Sequence, residues 1–247
     1  MVTVARPRAE AVAMPWDEFL LWFGDRWRQG DHIDVISPTG TGKTTFVGQL
    51  LVLRKYVAVF DSKGGDKTLD KLPYARIRKW PLPDRAYDRM ERGEPVRIIV
   101  GWRVRRRSEY PKLWALQAQV LDGIWEQEKW TLYLDELQMA TDPRMGQRMG
   151  GDIEMFLIGA RDRGISVVSG HQRTSWSPRS ASDQASWIVT SMTGDEDVMT
   201  AIARRMGRPV PQIRGAIRAL DEHIWLVVSK RPRDPVIVTS PPPLGPR

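Results

Sequence analysis

Cysteine is missing from the 247-residue chain. The protein can therefore form no disulfide, no cysteine-ligated zinc site and no thiol nucleophile, and the absence fits a reducing compartment. Long hydrophobic runs are missing as well: the longest near the start is FLLWF at residues 19–23, far shorter than the ~20 apolar residues of a transmembrane helix. The first residues, MVTVARPRAEAVAMP, contain arginines but no apolar segment, so we expect no secretory signal and a cytosolic protein.

Acidic residues are in the minority. Asp and Glu number 30 against 38 Lys and Arg, which gives a formal net charge of +8. Such an excess favours a polyanionic partner, either nucleic acid or an anionic membrane surface; a basic soluble protein without such a partner is the alternative. Apolar residues at 41% and charged residues at 28% are ordinary for a globular protein.

Composition divides the chain into three segments. Residues 1–14 are typical of a flexible basic arm, residues 15–239 of a single domain, and residues 240–247 (SPPPLGPR) of a loose proline-rich tail. Pro15 suits the first turn of a helix, and aromatic residues then recur along one helical face. These are Trp16, Phe19, Phe23 and Trp27. We expect the helix to pack on the domain edge; a subunit contact or a membrane-surface helix is the alternative.

Strand-like and helix-like patterns alternate from residue 32 onward, as in proteins with a parallel sheet. The predicted strands are HIDVI, YVAVF, YARIRKW, VRIIVGW, WTLYLDE, ISVVSG and SWIVTS, and the predicted helices lie at 43–53, 111–128, 151–163 and 194–206. EHIWLVVS and PVIVTS predict a closing hairpin or edge strands. The predicted fold class is α/β, with a mostly parallel central sheet flanked by helices, an N-terminal helix and C-terminal β-strands.

A glycine-rich loop, SPTGTGKTT at residues 37–45, joins the first strand to a helix. Glycines let successive backbone N–H groups point at phosphate oxygens, and the helix start adds its positive dipole. A lysine here reaches the β- and γ-phosphates, and a threonine hydroxyl ligates Mg²⁺. The sequence predicts a P-loop nucleotide site formed by Pro38, Thr39, Gly40, Thr41, Gly42, Lys43, Thr44 and Thr45, with Thr44 on the metal. Ser37 replaces the first glycine of the G-x-x-x-x-G-K-[ST] pattern at the loop entrance, where we expect the change to remove no donor.

The apolar strand TLYL ends in two carboxylates, Asp135 and Glu136. The carboxyl ends of parallel strands share one edge of a sheet, and the phosphate loop lies at the same edge. An aspartate there can hold Mg²⁺, and a neighbouring glutamate can orient and deprotonate the attacking water. The pair therefore predicts an Mg-dependent ATPase, with Asp135 as metal ligand and Glu136 as catalytic base; a solvated turn is the alternative.

The segment GARDRGISVVSGHQR at residues 159–173 contains the next strand, which also ends in polar residues. We expect ISVVS to lie beside the carboxylate strand and to bring His171 and Gln172 near the γ-phosphate, where a neutral amide can act as a sensor; polar residues that merely cap the strand are the alternative. Arg161 and Arg163 end the preceding helix. Either could be a surface charge or could reach the nucleotide of a neighbouring subunit.

Taken in order, SPTGTGKTT, VFDSKGGD, LYLDE and ARDRGISVVSGHQR resemble the FtsK–HerA superfamily of P-loop ATPases, over roughly residues 30 to 230. The D-x-K-G element, here Asp61, Lys63 and Gly64, discriminates better than the phosphate loop alone. The single-domain length is most similar to the small viral genome-packaging ATPases of phages and mobile elements. The resemblance implies a RecA-like (ASCE) core and a homo-oligomeric ring, pentameric or hexameric, that moves double-stranded DNA with ATP.

By the same resemblance, Gln172 is the sensor and Arg161 the finger that completes the next subunit's site, with Arg163 second. The protein would act in the host cytoplasm or on the virion at the packaging vertex, docked on a portal, a capsid vertex or a membrane. The chain departs from the pattern twice. Ser37 replaces a glycine, and SGHQR stands where ATQR is common, so that His171 precedes the sensor and can alter the coupling of hydrolysis.

The run GWRVRRR places four arginines after a buried strand: Arg103, Arg105, Arg106 and Arg107. Loops at strand ends of a ring ATPase can face the central pore, so we expect sequence-independent DNA phosphate contacts here; a solvated charge run is the alternative.

The leading hypothesis is an ATP-driven translocase that packages a viral genome. A plasmid or conjugative DNA-transfer pump is the first alternative, although such pumps usually carry membrane helices or an extra domain. A nucleotide-gated adaptor with little turnover is the second. A small-molecule kinase would need an acceptor pocket or lid, for which the sequence has no signature.

Overall fold

The computed structural model describes residues 11–141, 149–173, 178–231 and 233–244. Within these ranges the chain forms one ten-stranded sheet flanked by helices. The strands are β1 (Ala11–Ala13), β2 (His32–Ile36), β3 (Tyr56–Phe60), β4 (Ala75–Ile77), β5 (Val96–Val100), β6 (Thr131–Leu134), β7 (Ser166–His171), β8 (Ala185–Ser191), β9 (Trp225–Ser229) and β10 (Val236–Thr239).

The helices are distributed along the same ranges. They are α1 (Trp16–Arg26), α2 (Lys43–Leu50), α3 (Asp84–Glu91), α4 (Tyr110–Gln127), α5 (Leu137–Thr141), α6 (Gly150–Gly159), α7 (Arg179–Gln184), α8 (Glu196–Arg205) and α9 (Val210–Arg218). Short 3-10 turns continue α2 over Leu51–Leu53 and α6 over Ala160–Arg163.

The strand order is β1-β10-β9-β8-β2-β7-β6-β3-β5-β4. Strand β9 runs antiparallel to both β8 and β10, and every other described pair is parallel. The predicted α/β class with a mostly parallel sheet is therefore confirmed, and β9 and β10 form the closing hairpin. Strand β7 pairs with β6 as expected. The carboxyl ends of β2, β3, β5, β6 and β7 consequently share one edge of the sheet.

Helices cover both faces of the sheet because side chains alternate along each buried strand. Val57 and Val59 of β3 join one cluster with the apolar residues of α1 and α2. Their neighbours Ala58 and Phe60 join a second cluster with α4 and α6. Helices α8 and α9 complete the second face over β8 and β9. The sheet is thus held rigidly between two apolar layers, with the loops at its carboxyl edge left for function.

The aromatic face predicted for the first helix is confirmed. Trp16, Phe19, Phe23 and Trp27 are all buried, and the ring centroids of Phe23 and Trp187 lie 4.7 Å apart. Full burial of each such side chain contributes roughly 2 kcal/mol relative to exposure. Helix α1 therefore packs its aromatic face against Trp187 of β8 and Phe46 of α2.

The ends of the chain bear on the predicted division into arm, domain and tail. Residues 11–13 form strand β1 beside β10, and residues 1–10 lie outside the described residues. In the tail, the side-chain amide of Gln49 donates to the carbonyl oxygen of Pro242 at 3.3 Å, and Leu244 packs against the first cluster. The three-part division itself stays a prediction. Across the described ranges, no helix combines the length and apolarity needed to cross a bilayer.

Candidate functional site

The glycine-rich loop leaves β2 and ends at the first residue of α2. Gly40 and Gly42 have φ values of 85° and 89°, the left-handed region in which glycine is favoured. A Cβ on Gly40 would meet nothing within 4 Å, so the backbone conformation alone accounts for glycine there. Lys43 begins α2 directly after Gly42. Backbone N–H groups at the loop and at the helix start are consequently available to a phosphate group.

Ser37, the departure from the usual pattern, braces the loop entrance. Its Oγ lies 2.6 Å from Oγ of Ser191 at the end of β8 and also bonds the Thr41 hydroxyl. Thr41 in turn donates to the carbonyl oxygen of Pro38 at 2.9 Å. The serine therefore adds contacts that a glycine could not make.

Thr44 and Asp135 meet where the loop approaches the end of β6. The Thr44 hydroxyl donates to Asp135 Oδ1 at 2.9 Å, and the buried Tyr133 hydroxyl donates to the same oxygen at 2.5 Å. Burial raises the pKa of Asp135, although both hydrogen bonds act in the opposite direction. A hydroxyl and a carboxylate that converge in this way are hard oxygen ligands, which Mg²⁺ prefers. The donor set therefore fits the predicted magnesium ion.

Glu136 is held from two neighbouring strand ends. Gln172 Nε2 donates to Glu136 Oε1 at 2.9 Å, and Lys63 Nζ lies 2.8 Å from Oε2. Burial alone would lower the pKa of Lys63, but the hydrogen bond to Glu136 and its charge raise it. Glu136 and Gln172, predicted from separate motifs, are thus in direct contact.

One cleft of about 230 Å³ gathers these groups at the carboxyl edge of the sheet. From the predicted set it is lined by Pro38, Thr39, Gly40, Gly42, Lys43, Thr44, Thr45, Asp135, Glu136 and Gln172. Thr41 alone of the predicted loop residues is not part of the lining. Burial lowers the pKa of Lys43, while the charges of Glu136 and Asp135 partly compensate. A phosphate group bound in the cleft would therefore replace the hydration that the Lys43 ammonium group loses on folding.

Three further residues line the cleft, and the sequence predicted no role for them: Lys63, Asp66 and Thr68. Asp61 shapes their loop, because its carboxylate accepts from the backbone N–H of Gly65 at 2.8 Å and from Arg76 at 3.0 Å. The D-x-K-G element is the sequence feature that could have identified Lys63 as a site residue, whereas no sequence feature marks Tyr133.

Arg161 and Arg163 lie away from this cleft. Arg161 donates to the carbonyl oxygen of Gln184 at 2.8 Å and to Ser186 at 3.2 Å, at the start of β8. Arg163 stacks over the Trp125 ring at 4.5 Å and pairs with Glu128. Both arginines are therefore at the amino edge of the sheet. The phosphate loop lies at the opposite edge, one five-residue strand away, which is on the order of 17 Å.

The four arginines of the basic run follow β5 at the same edge as the cleft. Arg103, Arg105, Arg106 and Arg107 are all exposed, and none of them forms an ion pair with another described residue. Trp102 is half-buried beside them, and its indole N–H donates to Glu109 at 3.3 Å. The arginines are placed where a polyanion could reach them.

No protein-family model matches the sequence, and comparison with curated protein sequences finds no match. Solved structures do match the fold. The DNA-packaging ATPase B204 of Sulfolobus turreted icosahedral virus has a TM-score of 0.60 at 16% identity, over 87% of this chain and 99% of that one. The packaging NTPase B204 of Sulfolobus turreted icosahedral virus 2, in complex with AMPPCP, has a TM-score of 0.57 at 15% identity, over 86% and 98%.

VirB4 of Thermoanaerobacter pseudethanolicus matches equally well, with a TM-score of 0.60 at 12% identity, over 85% of this chain and 90% of that one. Identities this low establish a shared fold and nothing finer. The expected RecA-like P-loop fold is confirmed, and the two B204 structures are viral packaging ATPases, the type that the sequence resemblance named.

Proposed function

We propose that this chain is an Mg-dependent ATPase that moves double-stranded DNA and packages a viral genome into a capsid. One observation carries the proposal. Within a single cleft, Thr44 bonds Asp135 at 2.9 Å and Gln172 bonds Glu136 at 2.9 Å, beside the buried ammonium group of Lys43. A phosphate-binding loop, a metal ligand, a base and an amide sensor are the groups that hydrolysis of a nucleoside triphosphate needs.

Each side chain then has a defined task. Lys43 and the loop N–H groups bind the β- and γ-phosphates, and Thr44 and Asp135 hold Mg²⁺. The ion, when bound, neutralises charge that develops on the phosphate oxygens. Glu136 orients a water molecule and accepts its proton, while Gln172 reports the γ-phosphate through a neutral hydrogen bond. Proton acceptance by a placed carboxylate contributes roughly 10² to 10⁴ in rate.

Charge and position support DNA as the substrate that is moved. The net charge is +8, and the exposed arginines after β5 lie at the edge of the sheet that carries the cleft. Contacts of this kind bind phosphates without reading sequence. We further propose a homo-oligomeric ring in the host cytoplasm or at the packaging vertex, in which Arg161 completes the neighbour's site. B204, a packaging ATPase of the same fold, supports this biology.

The deciding experiment is ATP hydrolysis by the assembled protein, measured as phosphate release with and without duplex DNA at low salt. We expect hydrolysis that needs Mg²⁺ and rises with DNA, together with displacement of a third strand from a triplex by the moving protein. Glu136→Gln should bind ATP yet lose hydrolysis and displacement, and Lys43→Ala should lose nucleotide binding or turnover. A rate indifferent to DNA excludes the motor, and normal hydrolysis by Lys43→Ala excludes the site.

A DNA-transfer pump is the second candidate, because the same cleft and the exposed arginines after β5 would serve either use of a DNA motor. If the chain packages DNA, Glu136→Gln should yield capsids without DNA. If the chain transfers DNA, the same variant should block the passage of DNA between cells and leave any capsids normal. The adaptor hypothesis predicts something different again. A nucleotide-gated adaptor should keep most of its function when Glu136→Gln traps it with ATP, while a motor should stall.

A further inference from the structure

The cleft at the carboxyl edge is suited to phosphate groups and not to a nucleoside. Its volume of about 230 Å³ is below the ~300–1,000 Å³ of sites that enclose a whole small-molecule ligand. Among the described residues that line it, none is aromatic and the one apolar side chain is that of Pro38. Nucleobases bind proteins largely by stacking on aromatic rings. The base of a nucleoside triphosphate therefore belongs on surface beyond this lining.

The strand order indicates on which side of the phosphate loop that surface lies. Strand β2 lies between β7 and β8. Glu136 and Gln172, which we assign to the γ-phosphate, follow β6 and β7 and so lie on one side of the loop. The base is at the opposite end of the triphosphate. It consequently belongs on the other side of the loop, toward β8 and β9.

His223 lies on that side, in the short connection between α9 and β9. Strand β9 runs antiparallel to β8, and its first residue, Trp225, pairs with Ser191 at the carboxyl edge of the sheet. The Nδ1 atom of His223 is 3.3 Å from the carbonyl oxygen of Thr41. Because a carbonyl oxygen only accepts, this ring nitrogen carries the proton and donates it. The imidazole ring thus borders the phosphate loop directly.

The backbone of His223 is fixed while its ring is left open. The residue has a φ of 63°, a left-handed conformation that is uncommon outside glycine and marks functional positions. The Ser240 hydroxyl donates to its carbonyl oxygen at 3.0 Å. Two positions later the buried Trp225 packs on Phe46 of α2, with ring centroids 4.7 Å apart. The His223 side chain is nevertheless 59% exposed, so a face of the ring is available to a ligand.

We propose that His223 binds the nucleoside of ATP, with the base stacked on the exposed face of its imidazole ring while the cleft binds the triphosphate. The inference rests on the proposed function and extends it, because His223 makes the cleft a site for nucleotides rather than for polyphosphates in general. The hydrogen bond to Thr41 aligns the ring with the phosphate loop. His223 contacts a part of the substrate that does not react, so it stabilises the ground state and the transition state equally.

Two substitutions separate the ring from its hydrogen bond. His223→Asn tolerates the left-handed backbone and can keep the bond to Thr41, but it has no ring. His223→Phe keeps a ring and loses the bond. Both are made in the Glu136→Gln chain, which should not consume the ligands, and calorimetry gives the Kd of ATP and of inorganic tripolyphosphate with Mg²⁺.

We expect His223→Asn to raise the Kd of ATP at least about fivefold, as loss of one stacked base does, and to leave the Kd of tripolyphosphate unchanged. His223→Phe should keep the Kd of ATP within about twofold. Asp221→Asn is the matched control, since Asp221 is an exposed residue of the same connection, and it should leave both constants unchanged. With Glu136 intact, His223→Asn should raise KM for ATP by the same factor and leave kcat unchanged.

Nuclear magnetic resonance adds a measurement that does not depend on affinity or turnover. The chain has three histidines, and His32 and His171 are both buried. ATP should therefore shift the ring-proton signal of the exposed histidine, through the ring current of the base, and tripolyphosphate should not. The signal missing from His223→Asn identifies it.

The outcomes separate the two proposals. If the Glu136→Gln chain binds neither ATP nor tripolyphosphate, the phosphate site of the proposed function fails and this inference fails with it. If it binds both equally tightly, or if His223→Asn leaves the Kd of ATP unchanged, the base does not contact His223 and only this inference is overturned. Equal loss of both ligands in His223→Asn, or loss of ATP in His223→Phe, would show that the histidine braces the phosphate loop instead. A histidine signal that ATP does not move also overturns the inference.

Discussion

His171 and Asp34 form a fully buried pair, with 2.7 Å between Nε2 and Oδ1. The other ring nitrogen of His171 lies 3.1 Å from the carbonyl oxygen of Arg173. The histidine therefore ties the strand that leads into the phosphate loop to the backbone on both sides of Gln172. Burial would raise the pKa of Asp34, but the charge and hydrogen bond of His171, together with bonds from Ser182 and Ser169, lower it. The aspartate is thus held in its charged form.

This pair should position Gln172. His171→Ala leaves a buried charge without its partner, and we expect the free energy of unfolding to fall by about 3 kcal/mol. Asp34→Asn keeps hydrogen-bonding groups and should be milder. In both variants Gln172 should lose its hold on Glu136, so kcat should fall while the affinity for ATP changes little. Denaturant unfolding and steady-state hydrolysis measure the two effects.

A double-mutant cycle distinguishes positioning from general loss of stability. If His171 acts through Gln172, His171→Ala should lower kcat much less in a Gln172→Ala background than in wild type. If His171→Ala lowers kcat by the same factor in both backgrounds, His171 does not act through Gln172.

Much of the fold could be predicted because its signals are local. HIDVI, YVAVF and VRIIV are buried apolar runs with β-branched residues, and the chemistry follows directly at their ends. Helix α9 escaped prediction for an equally local reason. Pro209, Pro211 and Gly215 interrupt the helical pattern, although the two prolines fall at the helix start, where they are tolerated. Helix α3 has no fully buried residue and packs only Ala86, Tyr87 and Met90 against the second cluster, so its apolar pattern is short and weak.

The finer structure of the site could not be predicted, because it depends on side chains distant in sequence. The Ser37–Ser191 contact joins residues 154 positions apart, and the Lys63–Glu136 ion pair joins loops after two different strands. The strand order brings each pair together, and nothing in either segment specifies the contact. The separation of Arg161 from Lys43 has the same origin: the two lie at opposite ends of parallel strands.

The stability of the protein should depend on His32 below neutral pH. Burial and the nearby charge of Arg161 lower the pKa of His32 from 6.5 to about 4, and the backbone N–H of Val167 donates to its Nδ1 at 3.1 Å. Between these two values the unfolded chain takes up a proton that the folded protein does not. The free energy of unfolding should therefore fall as the pH falls from 6.5 to 4, by about 3 kcal/mol in all.

His32→Asn isolates this contribution, because asparagine can accept from Val167 but does not titrate. Carboxylates that titrate in the same pH range change the unfolding free energies of wild type and His32→Asn equally, so their effect cancels in the difference. The difference in unfolding free energy between wild type and variant should change with pH between 6.5 and 4 and stay constant above 7. A difference that is flat throughout would mean that His32 is not held neutral.

Restoring the usual glycine at position 37 should weaken the loop rather than improve it. Ser37→Gly removes the bonds to Thr41 and Ser191 and adds backbone freedom, which together cost roughly 1 to 2 kcal/mol in unfolding free energy. The affinity for ATP should fall because the loop must be ordered on binding. Ser191→Ala removes one of the same bonds, so the two changes combined should cost less than their sum. An unchanged or tighter affinity in Ser37→Gly would contradict a bracing role.

Arg161 should act on the neighbouring subunit's nucleotide. Its guanidinium is exposed at the amino edge of the sheet, roughly one strand length from the phosphate loop of its own subunit. We expect Arg161→Ala to lower the rate of hydrolysis by at least 10³-fold, as loss of an arginine finger does. Arg163→Ala should lower the rate far less. Mixing inactive Arg161→Ala with inactive Lys43→Ala should restore activity, since an intact phosphate loop then meets an intact arginine. If no mixing ratio restores hydrolysis, the arginine serves its own subunit, through its bonds to Gln184 and Ser186.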